Sequence, residues 1–176
     1  NNAYITGFRS ANNFPTKNAF QPNRGGGDDG FVAKFNPTAS GEASLIYSTY
    51  IGGAGTDQGN GIAVNSNGQA VVVGLTGSVN FPLANAFDTT NQINEGFVSV
   101  ISANGTSLVN SSFLGGSDQD QAFNVALGNG GLIYVTGNTL SNNFPLTLPF
   151  QTTRAGVRDA FVTKLRFGSG VLSSSY

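Results

Sequence analysis

An all-β fold of repeated, four-stranded antiparallel units of the β-propeller type follows from three observations. The first is internal repetition. Gly-x6-Phe-Pro-x4-Phe occurs at Gly7/Phe14/Pro15/Phe20, Gly74/Phe81/Pro82/Phe87 and Gly137/Phe144/Pro145/Phe150. A long period kept this well marks a repeat architecture and must be recognised before any single residue is read. The second is that each unit holds four short runs rich in Val, Ile, Phe and Tyr, bounded by Gly, Asn, Asp or Pro; such runs read as strands. The third is that no stretch long enough for a helix carries a 3.6-residue apolar period.

The first strand of a unit is predicted at Gly61–Val64 and Asn124–Leu127, and the first copy lacks it. Asn65-Ser-Asn-Gly68 and Leu127-Gly-Asn-Gly130 supply tight hairpin turns into the second strand. That strand covers Ala3–Thr6, Ala70–Val73 and Ile133–Thr136. The Phe-Pro-x4-Phe segment follows. Proline cannot donate to a ladder, so the segment is a loop or an edge. Two phenylalanines in every copy predict that it is ordered and pinned to the core, each contributing roughly 1.5–3 kcal/mol when buried. The third strand is predicted at Phe31–Phe35, Phe97–Ile101 and Phe161–Leu165, and the fourth at Leu45–Tyr50, Leu108–Phe113 and Val171–Tyr176. The units are residues 1–53, 54–116 and 117–176, so there are about three blades, the first incomplete.

Tyr47-Ser-Thr-Tyr-Ile-Gly-Gly53 followed by Asp57 and Asn60-Gly-Ile-Ala-Val64 resembles the SBBP-type (seven-bladed β-propeller) repeat. Tyr4-Ile-Thr-Gly7, Asn13-Phe-Pro15, Ala19-Phe-Gln21 and Gly30-Phe-Val-Ala-Lys34 resemble it too, in the same order and spacing. The resemblance covers essentially the whole chain. It implies a propeller scaffold in a large exported surface protein and no single activity, because fold does not give function.

Composition narrows the function classes. Only 10% of the 176 residues are charged, against about 25% in an average soluble domain. Amide and hydroxyl side chains carry the polarity, which agrees with an extracellular or cell-surface location. The formal net charge is -1, and no Lys or Arg lies between Lys34 and Arg154, so no basic stripe for nucleic acid exists. No apolar run approaches the roughly 20 residues of a membrane-spanning helix. With no Cys there is no disulfide framework. The chain opens at Asn1 in mid-unit without Met, and is expected to be a mature product or part of a longer parent.

Without His or Cys, no Ser-His-Asp triad, thiol nucleophile or His metal site is available, and no catalytic residue is assigned. Asp29, Glu95 and Asp159 share one repeat position, and Asp57 and Asp120 share another, before the first strand. Residues that obey the repeat are expected to cap turn N–H groups. A glycosidase-like acid/base pair is the alternative, and it needs two carboxyls about 5–10 Å apart. The symmetry-breaking residues are the better binding candidates: Asp118 with Asp120, and Arg154 with Arg158 beside Asp159. Asp-x-Asp in a Gly-rich loop can ligate calcium, which makes Asp118, Asp120, Asp28 and Asp29 possible calcium ligands; a solvated turn is the plainer reading. Gly25-Gly-Gly27 reads as a flexible turn. Tyr47, Tyr50 and Tyr176 on the outer strands are expected to pack between blades. Asn104-Gly-Thr106 and Asn110-Ser-Ser112 are glycosylation sequons. The expected function is a structural or adhesive scaffold, completed by self-association or by further repeats. A carbohydrate-binding or carbohydrate-active propeller is the alternative, with a glycan as partner.

Overall fold

A computed structural model describes residues 2–92 and 94–176. Three antiparallel sheets stand in a row. The first blade has three strands, β1 (Ala3–Arg9), β2 (Asp29–Phe35) and β3 (Leu45–Ile51). The second runs β4 (Asp57–Val64), β5 (Ala70–Thr76), β6 (Glu95–Ile101) and β7 (Leu108–Leu114). The third repeats this order with β8 (Asp120–Leu127), β9 (Ile133–Thr139), β10 (Asp159–Arg166) and β11 (Gly170–Ser175). Each sheet is a meander in which neighbours in sequence pair with each other, so every connection is local. Two short 3-10 turns, Gly41–Ser44 and Asn129–Gly131, are the remaining regular elements among the described residues.

The strands are longer than the apolar runs suggest. β4 and β8 begin at Asp57 and Asp120, so these acids lie inside the sheet and not before it. A register shift between Gly59 and Gly61, repeated between Ala122 and Asn124, separates the acid from the apolar half. Such a bulge inserts an extra residue and bends the strand, which hid the continuity in the sequence.

Side chains alternate between the two faces of a strand, and in the second blade both faces are buried. Ala70, Val72, Phe97, Ile101 and Phe113 join Val32, Tyr47 and Ile51 in a core between the first and second blades. Val71, Val73, Val98, Val100 and Leu114 join Ile133, Val135, Phe161 and Leu165 in a core between the second and third. The first phenylalanine of each Phe-Pro loop packs on the sheet as expected, and so do Phe20 and Phe87, but Phe150 is exposed because no described blade lies against the third sheet's outer side. Phe81 lies 4.6 Å from Phe97 and 6.2 Å from Phe113, and Phe144 lies 4.4 Å from Phe161 and 6.3 Å from Tyr176. Tyr47, Tyr50 and Tyr176 are buried between strands and loops.

One loop position departs from its counterparts. Asn18, Asn85 and Leu148 all sit at φ 49°. Asn tolerates this left-handed region far better than a bulky apolar residue. Asn18 and Asn85 also donate their amides to the Ile46 and Val109 carbonyls, at 3.0 and 2.9 Å. Leu148 does neither and is exposed. Leu148→Asn is therefore expected to raise the unfolding free energy by about 1 kcal/mol, read as a shift in denaturation midpoint. An unchanged or lower midpoint would contradict the repeat logic.

Candidate functional site: the blade junctions

The repeated carboxylates meet at the seams between blades. Asp29 starts β2 and Asp57 starts β4 on the next blade, and both are fully buried. They converge on Gly52: a Cβ there would stand 2.7 Å from the Asp29 Cγ and 2.7 Å from the Asp57 Oδ2. The second seam repeats the design with Glu95 and Asp120, whose carboxylates both crowd the same point beside Gly115. Only a glycine leaves room for two acids at such a corner.

Each acid is held by local donors, as the capping expectation required. Asp29 accepts from the Gly25 N–H at 2.8 Å and the Gly26 N–H at 3.3 Å, with the Gln21 amide at 3.3 Å. Asp57 accepts from the Gly53 N–H at 2.8 Å, the Ser78 hydroxyl at 2.7 Å and the Thr76 hydroxyl. Asp120 accepts from the Gly116 N–H at 2.6 Å and the Ser141 hydroxyl at 2.8 Å. Among the described residues its Oδ1 is buried without a donor. Thr139 occupies the place of Thr76, but its hydroxyl lies 3.5 Å from the Ser141 carbonyl oxygen; that bond is weak, and a hydroxyl is free to rotate towards the carboxylate. Asp159 accepts from the Ala155 N–H at 2.7 Å and the Gly156 N–H at 3.0 Å.

The two seams differ electrically. In the first and third blades a glutamine amide, Gln21 or Gln151, reaches the carboxylate at 3.3 Å. In the second blade Asp88 stands at that repeat position and Glu95 replaces the aspartate. Burial, then the Asp120 charge, then that of Asp88, raise the Glu95 pKa from 4.5 to about 8, against one lowering contact from the Gln92 N–H. Burial also raises Asp120 and Asp29, the latter with a contribution from the Asp57 charge. At neutral pH the Glu95–Asp120 pair therefore retains a proton, as two adjacent buried carboxyls must. The pair has the raised pKa of an acid/base dyad, but with both side chains buried no substrate reaches it. The geometry makes it a fastener between blades.

The other candidates fall elsewhere. Asp118 is exposed while Asp120 is buried, so the Asp-x-Asp run does not form one cluster. Asp28 is half-buried and gives its carbonyl oxygen to the Asp57 N–H at 2.6 Å. Among the described residues no three acidic side chains are grouped to hold a metal ion. Arg154 does not turn to Asp159: it bonds the Asn142 Oδ1 at 2.9 Å and the Val157 carbonyl oxygen. Arg158 is exposed beside it. Gly25-Gly-Gly27 is not a free turn. It lies on the next blade, with the Gly27 N–H bonded to the Gly55 carbonyl at 2.9 Å, and side chains there would strike the Gly53 and Ala54 backbone. Asn104 is exposed at a turn tip, where its Oδ1 accepts from Ser102 and Thr106. Asn110 is half-buried in β7, and the Ser112 hydroxyl of its sequon is buried against the Asp88 and Phe113 carbonyls.

Tyr47 was expected between blades, but its row with Tyr4 and Lys34 was missed from sequence. Tyr4, Lys34 and Tyr47 are aligned across the first blade. The Lys34 ammonium lies 5.2 Å from the Tyr4 ring centre and 2.9 Å from the Ala103 carbonyl oxygen on the second blade. Tyr47 lies against Gly105, whose φ of 82° and lack of a Cβ permit the contact. Val71, Val100 and Asn110 take the same row in the second blade. Aligning the copies and reading where they disagree was the signal available. Comparison with protein-family models finds none that matches this chain, and no curated protein matches it significantly.

Proposed function

We propose that this chain is a structural and adhesive scaffold module of an extracellular or cell-surface repeat protein of the SBBP type, extended by packing a further blade of the same kind onto its third sheet. The supporting observation is what the junctions bury and the last sheet does not. Val32 and Val98 are 0% exposed, each covered by the next blade, whereas Val162 at the same place is 42% exposed. Phe20 and Phe87 reach the following blade: the Phe20 N–H bonds the Gly105 carbonyl at 2.9 Å, and the Phe87 ring lies 5.7 Å from Phe167. Phe150 at the same place is 82% exposed. On the outer face of the first blade Ile5 is exposed where Val72 and Val135 are buried.

The two outer faces are thus the two halves of the junction already used twice within the chain. Joining them between copies is a head-to-tail contact, which closes as a ring or runs on as a filament. Aromatic and aliphatic side chains at the centre of such a face carry most of the association energy. A Phe150→Ser/Val162→Thr variant is expected to keep the fold, because both positions are solvent-exposed, and to sediment as a monomer at concentrations where the parent associates. Equal association by the two proteins would remove the third sheet from the contact.

A further inference from the structure

We infer that the seam between the second and third blades holds a binding site for a saccharide of one or two rings. A cavity of about 590 Å³ opens there, within the range of small-molecule sites. Its origin is visible in the repeat. At the first seam the corresponding space is taken by the Tyr47 ring and the Lys34 side chain. At the second seam Val100 and Asn110 occupy those positions, and both line the cavity. The blade spacing is set by the carboxylate seam and the Phe-Pro loops, which both junctions share, so the shorter side chains leave the gap open.

The lining matches a sugar. Asn65, Gln69 and Asn110 bring amides, each able to donate and accept at once, as a hydroxyl requires. The Asn65 Nδ2 already bonds the Gln69 Oε1 at 2.8 Å, and the Asn65 Oδ1 holds the Asn67 and Gln69 N–H groups. Among the described residues neither the Gln69 NH2 group nor the Asn110 amide bonds another protein group, which leaves both for a ligand. Val71, Val100 and Ile133 provide an apolar wall for the C–H face of a pyranose, and Arg166 adds the one formal charge of the lining among the described residues. No carboxylate lines it among the described residues, so the site accepts neutral sugars and sugars bearing a carboxylate, and disfavours cations. Apart from Arg166, which strand alternation puts on the same side of β10 as Val162, the lining residues named lie between the second and third blades and not on the outer face of the third sheet, so the site does not depend on blade stacking.

Saturation-transfer NMR on the unmodified chain with free galactose, N-acetylglucosamine and glucuronate at millimolar concentration tests this. The expected result is transfer to at least one of the three. Val100→Lys/Asn110→Tyr copies the filling of the first seam, and is expected to keep the melting temperature and lose the transfer. Should that variant not fold, Asn110→Leu removes the amide alone and is expected to weaken binding by about ten-fold, near 1.4 kcal/mol. Absence of transfer from all three sugars would overturn the inference. So would undiminished transfer in a folded Val100→Lys/Asn110→Tyr variant or, where that variant does not fold, in Asn110→Leu.

Discussion

Phe81→Ala is expected to lower the unfolding free energy by about 3–5 kcal/mol, the range for deleting a buried aromatic ring. Phe81 is 4% exposed and lies against Phe97 and Phe113 in the core that joins the first two blades. Its removal deletes apolar area and leaves a void that the strands cannot close, because β5 and β6 are packed on both faces. Ring pairs at these separations add to the area term. Phe14 is the internal control. It occupies the same repeat position and contacts Phe31 and Tyr50, at 4.8 and 5.3 Å, but it is half-buried because no blade covers that face. Phe14→Ala should cost clearly less. Urea unfolding of the two variants decides the matter, and equal costs would mean that blade packing is not what buries the loop.

Glu95→Gln should increase stability by about 2 kcal/mol at alkaline pH and change little in acid. An acid whose folded pKa is raised holds its proton in the native state after the unfolded chain has released it. The unfolded state then binds fewer protons, and stability falls as pH rises from the ordinary value of 4.5 to about 8, above which the loss is complete. Glutamine carries no charge to desolvate. It also places an amide donor against Asp120, much as Gln21 and Gln151 donate to Asp29 and Asp159. The facing groups are Asp120 and Asp88, both acids, so no cation masks the effect. Denaturant midpoints at a series of pH values should slope downward across this window in the parent and flatten in the variant. Parallel curves would show that the pair is not sharing a proton.

Much of the fold was legible in the sequence because the determinants are local. Turn glycines, the Phe-Pro loop and alternating apolar runs each specify their element without distant partners, and three copies state them three times. The capping role of Asp29 and Asp57 was legible for the same reason. What was hidden depends on contacts between units. That Asp29 meets Asp57, and Glu95 meets Asp120, across one glycine requires the blade spacing, which no run of residues encodes. The strand assignment of Asp57 and Asp120 was masked by the bulges at Asn60 and Phe123. The cavity was hidden because it is made by absence, Val100 and Asn110 standing where Lys34 and Tyr47 stand one blade earlier. The Asp118/Asp120 and Arg154/Arg158 clusters looked paired in sequence, but the loops give their members separate environments.

If the outer faces of this chain are two halves of one junction, copies must associate head to tail. Light scattering of the unmodified chain over a concentration series tests this, with electron microscopy of the same sample. A mass that climbs with concentration, settling into rings or lengthening filaments, is the predicted result. A constant monomer mass across the series would contradict it.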